Sequence, residues 1–152
     1  MDNDKVVNTL NDLIETCRDG LNGFKEAAEN VKGLDLKRLF NELSNERGKS
    51  VQELQFEVRR LGGDPEKTGS TAGALHRAWI DIKGTLMGKD DHTILVECER
   101  GEDSAVSAYK DALKLGLPPN INLIVQQQYQ TIQKDHDRIK QLRDGRAATS
   151  GR

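Results

Sequence analysis

The sequence is poor in aromatic residues, cysteine and proline, and it contains no long hydrophobic run. Of its 152 residues, 4% are aromatic, two are cysteines and three are prolines. A chain of this length buries enough surface to fold without disulfides, so we expect the cysteines to be thiols. No segment approaches the ~20 consecutive apolar residues of a membrane span, and the first residues lack the pattern of a signal peptide. We therefore expect a cytoplasmic protein with no membrane partner.

The chain also lacks an excess of charge of either sign. Its 23 Lys and Arg residues against 25 Asp and Glu residues give a formal net charge of −2. A nucleic-acid-binding domain usually carries a strongly basic face, so we expect no nucleic-acid partner. Charged residues make up 32% of the chain and hydrophobic residues 35%. This balance favours long amphipathic helices with aliphatic core faces.

Apolar residues recur every three or four positions in four long segments, which predicts four helices. The apolar stripes run from Val7 to Val31, from Leu36 to Leu61, from Leu95 to Ala112 and from Ile121 to Leu142. Each predicted helix has about 25 to 28 residues and is therefore about 40 Å long. Elements of matched length are typical of a bundle.

Capping residues predict where these helices begin and end. The predicted N-caps are Asp4, Asp35 and either Asp90 or Asp91. The predicted ends are Gly33 in the left-handed conformation, Gly62 with Gly63, Gly116, and Asp144 with Gly145.

The connections between the helices predict the topology. The link at residues 33–34 is so short that the first two helices must be antiparallel. The link at residues 62–90 is long, and its segment TAGALHRAWIDIKGTL predicts a short helix inside it. We expect an all-α, ferritin-like four-helix bundle in up-down-down-up order, with this extra helix in the crossover between helices 2 and 3. The alternative is an up-down-up-down bundle with the extra helix over one end. Residues 1–144 would form one domain and residues 145–152 a flexible tail.

A bundle of this type raises the hypothesis of a di-iron centre, which needs a Glu on each of two helices and Glu-x-x-His on the other two. In the first helix the acids, Asp19 among them, fall outside the apolar stripe. In the second helix no Glu is followed by His three residues later, and in the fourth helix His136 is preceded at that distance by Gln133. The sequence therefore argues against a conventional di-iron centre.

The stripes do contain polar residues at mid-height, namely Arg47, Glu102 and Gln128. The favoured interpretation is a buried ion pair of Arg47 with Glu102, hydrogen-bonded by Gln128, which fixes the register of the helices. The alternative is an altered polar site in the bundle core.

A mononuclear metal site is the weaker hypothesis. Glu99 and Glu102 lie one turn apart, and in the crossover topology His136 comes near the level of Glu99, with Glu46 on the neighbouring helix. Carboxylates and imidazole are ligands for iron or manganese. The more ordinary interpretation of the same residues is a solvated face with ion pairs one turn apart.

Two further patterns have structural interpretations. Cys17 and Cys98 occupy stripe positions, where we expect small core residues. Gly20 and Gly23 lie inside the first helix, where each glycine costs about 1 kcal/mol relative to alanine. Close approach of another element would explain them.

Several strings carry a resemblance that covers residues 4 to 144. They are DGLNGF, RRLGGDP, GALHRAW, ECERGEDSA, LGLPP and HDRIKQLRD. With these strings the chain resembles an uncharacterised bacterial family of ferritin-like four-helix-bundle proteins, a domain of unknown function. The resemblance implies the bundle fold and implies no activity, substrate or cofactor, because a fold does not transmit function.

The expected function is therefore that of a non-enzymatic bundle, without a cofactor, that acts by homo-oligomerisation or by binding a protein partner. An association with stress physiology is part of this expectation. The alternative is a metal-binding ferritin-like protein with a mononuclear or degenerate di-metal site.

Overall fold

The computed structural model describes residues 1–65 and 86–150, the last five of them by their backbone only. Within these ranges the chain forms four helices: α1 (Asn3–Asn30), α2 (Leu34–Arg60), α3 (Asp91–Leu113) and α4 (Pro119–Ser150). The described part contains no strand. The all-α class predicted from the apolar periodicity is confirmed.

One end of the bundle is filled by an apolar cluster to which all four helices contribute. Leu10 of α1, Leu54 of α2, Tyr109 of α3 and Val125 of α4 belong to it. These residues come from the first half of α1, the second half of α2, the second half of α3 and the first half of α4. At this end, therefore, α1 and α4 begin while α2 and α3 finish.

The opposite end contains a second apolar cluster, to which the other half of each helix contributes. Phe24 of α1, Leu36 of α2, Leu95 of α3 and Ile139 of α4 belong to it. Since α2 and α3 both begin here, they are parallel, and α1 and α4 run the other way. The up-down-down-up order is confirmed, and the up-down-up-down alternative is wrong.

The neighbour relations complete the bundle. α1 packs against α2 and α3, and α4 packs against α3 and, more loosely, α2. Each of these neighbouring pairs is antiparallel, so the two parallel pairs lie on the diagonals. The short helix predicted in the crossover lies outside the described residues, and the boundary between domain and tail at residue 144 stays a prediction.

The helix starts differ from the predicted caps at two of three positions. Asp2 caps α1 by accepting a hydrogen bond of 2.9 Å from the Lys5 amide, so the prediction of Asp4 is wrong. Asp90 caps α3 by accepting from the Thr93 amide at 2.8 Å, as one of the two predicted options. In both cases a side-chain oxygen satisfies an amide that has no partner within the helix.

The connection between α1 and α2 is held by a residue from another helix. Gly33, not Asp35, occupies the N-cap position of α2. The φ of Gly33 is −67°, so the prediction that it is left-handed is wrong. Instead, the Asp91 carboxylate at the start of α3 accepts from the amides of Lys32 and Gly33 at 2.8 and 3.0 Å. A carboxylate that serves two loop amides replaces the glycine turn that the sequence suggested.

Two of the helices end at the glycines predicted to terminate them, and α4 does not. Gly62 and Gly116 adopt φ values of +81° and +74°, as expected for residues that terminate helices. Gly145 does not have a positive φ, and α4 continues through it to Ser150. The predicted end of α4 at residues 144–145 is wrong, because glycine weakens a helix without terminating it unless the backbone turns left-handed.

The outer faces of the helices are mostly polar. Within the described part, no helix combines the length and the apolar content needed to cross a bilayer. A few large apolar side chains are nevertheless exposed, at Met1, Leu34, Phe56, Met87, Leu115 and Leu123. Leu34 and Met87 are the most exposed of these and belong to the same end of the bundle, where α2 and α3 begin.

Candidate metal centre and polar core

A buried ion pair crosses the centre of the bundle between α2 and α3. Arg47 Nη2 lies 2.6 Å from Glu102 Oε2, and the two side chains are 1% and 0% exposed. The guanidinium also lies over the Phe24 ring, 5.2 Å from its centroid. A β-carbon at Gly20 would be 2.9 Å from Arg47 Nη1, so one of the two glycines inside α1 makes room for this side chain.

A second carboxyl group approaches the same guanidinium from α4. Asp135 Oδ2 lies 3.8 Å from Arg47 Nη2, and Asp135 is buried. Burial, the charge of Glu46 and a hydrogen bond with that residue together raise the pKa of Asp135 to about 8, against the opposing effect of Arg47. This raised pKa favours the protonated form of Asp135 at neutral pH, in which the carboxyl group can donate a hydrogen bond to Glu46.

Gln128 belongs to a different network, nearer the end where α4 begins. Its Oε1 accepts from the Tyr109 hydroxyl at 2.7 Å, and its Nε2 donates to Glu53 Oε1 at 3.0 Å. The Tyr109 hydroxyl also lies 3.0 Å from Cys17 Sγ. The hydrogen bond predicted from Gln128 to the ion pair is thus replaced by one to Tyr109.

Both cysteines lie in the core. Cys17 and Cys98 are free thiols and are buried. Burial raises the pKa of each thiol above its ordinary value. A thiol that stays protonated and inaccessible is a poor nucleophile, which supports the structural role expected of both residues.

The mid-bundle residues do not fit a di-iron centre. Arg47 puts a fixed positive charge within 3.8 Å of both Glu102 and Asp135, where a metal pair would need carboxylate and imidazole ligands and no cation. The imidazole of His136 contacts a carboxylate of α3 on the outside of the bundle instead of these groups. Asp19 of α1 is buried, contrary to the prediction that it lies outside the core face. It does not complete the Glu and Glu-x-x-His set that such a centre requires.

A separate cluster of ligating side chains lies between α3 and α4. His136 Nε2 is 2.6 Å from Asp103 Oδ1 and 3.8 Å from Glu99 Oε1. One ligand atom from each of the three residues lies within 4.8 Å of the other two. Glu99 and Asp103 are four residues apart on α3 and so share one face of that helix. This arrangement has the size of a mononuclear metal site.

Two of the four residues suggested from the sequence are brought together here, and two are not. Glu99 and His136 meet, whereas Glu102 pairs with Arg47 and Glu46 with Asp135. Asp103 takes the place expected for Glu102. It was missed because its side chain is 63% exposed and lies outside the apolar stripe, although its spacing of four from Glu99 was a usable signal.

The second ring nitrogen of His136 is also held by a carboxylate. Its Nδ1 lies 3.2 Å from Asp137 Oδ1. Partial burial would lower the pKa of His136, but the hydrogen bonds with Asp137 and Asp103 and the nearby negative charges outweigh it, and the net shift is upward. An Nδ1 hydrogen donated to Asp137 leaves Nε2 directed at Glu99 and Asp103.

Arg143 contacts the cluster from the C-terminal part of α4. Its Nη1 forms an ion pair with Glu99 Oε2, the carboxylate oxygen other than the one nearest His136. Its Nε and Nη2 donate to Asp144 Oδ1 at 3.1 and 2.8 Å. Glu99 is therefore shared between an imidazole and a guanidinium.

Comparison with known proteins gives a family and no activity. A family model described as a domain of unknown function, DUF2383, matches residues 5–115. The match covers α1 from residue 5 onward and all of α2 and α3, and it ends before α4, which carries His136 and Arg143. No curated protein matches the chain.

Proposed function

We propose that this chain, which belongs to the DUF2383 family, is a helical bundle that binds one divalent transition-metal ion through Glu99, Asp103 and His136. The observation that carries the proposal is the convergence of three ligand atoms from α3 and α4 within 4.8 Å. Zinc binds imidazole nitrogen and carboxylate oxygen at about 2.0–2.2 Å, so its ligand atoms lie about 3–3.5 Å apart. The distances of 2.6 and 3.8 Å from His136 Nε2 to the two carboxylates bracket that range.

The surroundings of His136 support the same function. Metal-bound histidines almost always donate their other ring hydrogen to a carboxylate, a backbone carbonyl or a water molecule, which fixes the tautomer. Asp137 is placed to accept from Nδ1 of His136. Two carboxylates and one imidazole suit manganese, iron, cobalt, nickel or zinc, which include the iron and manganese expected from the sequence.

Titration of the full chain with Zn²⁺ and Mn²⁺, after removal of bound metal with a chelator, tests this function. We expect one equivalent of metal in isothermal titration calorimetry, and a loss of at least about tenfold in affinity for His136→Ala. His92→Ala is the matched control, because His92 lies in the first turn of α3, away from the cluster. Equal affinities of the two variants would show that the cluster is a plain surface ion-pair network.

A second candidate function is self-association, as expected from the sequence for a non-enzymatic bundle. The observation that favours it is the exposure of Leu34 and Met87, 70% and 82%, at one end of the bundle. Exposed apolar patches mark protein contacts more often than isolated residues do. Light scattering after gel filtration should give a dimer that Leu34→Glu dissociates and Leu123→Glu, at the other end of the bundle, does not. A monomer at all concentrations would exclude this candidate.

A further inference from the structure

We infer that Arg143 competes with the metal ion for Glu99. When the ion binds, Arg143 must leave Glu99, and the loss of this ion pair loosens the last turns of α4. This inference rests on the proposed metal-binding function and adds its regulation. Arg143 forms an ion pair with Glu99, and Glu99 is the most buried of the three ligands. The guanidinium therefore holds the carboxylate that anchors the site to the bundle.

The two groups on α4 reach the same carboxylate from one helix face. His136 and Arg143 are seven residues apart, which is about two helical turns, so their side chains point in nearly the same direction. Helical side chains lean towards the N-terminus of their helix, which brings the long Arg143 side chain back towards His136. Glu99 Oε1 faces the imidazole while Oε2 contacts the guanidinium.

Electrostatics makes joint occupancy unfavourable. A divalent ion on Glu99 would lie within a few ångströms of the Arg143 guanidinium, and like charges at that separation repel strongly when partly shielded from water. Arg143 has another acceptor available, because it already donates to Asp144, whose side chain is 60% exposed. Leaving Glu99 therefore does not leave the guanidinium without a partner.

Displacement of Arg143 has a structural consequence at the end of α4. Leu142 and Arg143 are only partly buried, and residues 144 and 145 are exposed. The pair with Glu99 ties this turn to α3. Coupling between two binding events is reciprocal. The ion pair of Arg143 with Glu99 therefore weakens metal binding, and metal binding weakens this ion pair.

Zn²⁺ titration of full-length variants tests the competition. Arg143→Gln should bind Zn²⁺ at least about tenfold more tightly than the wild type, and Arg143→Lys, which keeps the charge, should remain close to it. Arg138→Gln is the matched control, because it removes the same charge from an exposed position of α4, five residues before Arg143 and on a different face of the helix. In the wild type, saturating Zn²⁺ should also speed amide hydrogen exchange in the peptide that contains residues 143–150, and in Arg143→Gln it should not.

The outcomes separate this inference from the function on which it rests. If the wild type binds Zn²⁺ and Arg143→Gln binds it no more tightly than Arg138→Gln, the competition is wrong and the metal site stands. If Arg143→Gln binds more weakly, Arg143 positions Glu99 instead of competing for it, which also overturns the inference. If neither the wild type nor any variant binds Zn²⁺, the proposed function fails and the inference fails with it.

Discussion

At the scale of single residues, the fold is sensitive to the loss of either partner of the ion pair between Arg47 and Glu102. Both charges are buried, so removing one leaves the other without compensation. We expect Glu102→Ala to reduce the free energy of unfolding by about 3–5 kcal/mol. Urea unfolding followed by circular dichroism measures the change.

Glu97→Ala is the control for this substitution. Glu97 lies on the same helix and pairs with Arg100 one turn away, and the Arg100 side chain is largely exposed. Such a pair contributes about 0.2–1 kcal/mol, so the control should unfold almost like the wild type. Equal losses in the two variants would contradict the assigned importance of the buried pair.

The sequence predicts which residues face the core better than it predicts which residues touch. The apolar stripes put Arg47, Glu102 and Gln128 on inward faces, and all three are buried. The stripes do not give the level at which side chains from different helices meet, because this depends on how far each helix slides along its neighbour. Gln128 therefore bonds Tyr109 instead of the ion pair, and Asp103 instead of Glu102 joins Glu99.

At the scale of helices, the contact between α2 and α4 is sensitive to pH through Asp135. Glu46 and Arg47 of α2 and Glu102 of α3 surround this carboxyl group, and its pKa is raised to about 8. The unfolded chain has an Asp pKa of about 3.9, so between these values the folded state binds more protons than the unfolded state. Stability should therefore decline as the pH rises from about 4 to about 8.

Asp135→Asn isolates this effect, because the amide is neutral at every pH. We expect the free energy of unfolding of this variant to vary less between about pH 5 and about pH 8 than that of the wild type. Asp111→Asn, at an exposed position of α3, should keep the wild-type slope. Measurements in the presence of a chelator remove any contribution from metal. A wild-type slope in Asp135→Asn would show that Asp135 is ionised throughout.

The helix ends show where local sequence signals suffice. Gly62 and Gly116 adopt the left-handed conformation in which glycine commonly ends a helix, as the local sequence indicates. Gly33 was mispredicted because Asp91, 58 residues further along the chain, accepts from its amide. A long-range contact of this kind leaves no trace in the local pattern of capping residues.

At the scale of the whole molecule, the topology was predictable from connection lengths. A link of two or three residues can only reverse the chain, and a link of about 29 residues can travel the length of a bundle. Function was less predictable, because the proposed metal site depends on two helices that meet only in the folded chain. The family match adds no activity and ends before the helix that carries His136.

Anomalous diffraction at the zinc absorption edge, from crystals of the full chain grown with Zn²⁺, tests the metal site most directly. We expect one peak between α3 and α4, about 2.0–2.2 Å from oxygen atoms of Glu99 and Asp103 and from Nε2 of His136. Peaks only at lattice contacts, or a pair of peaks on the bundle axis beside Arg47, would contradict it.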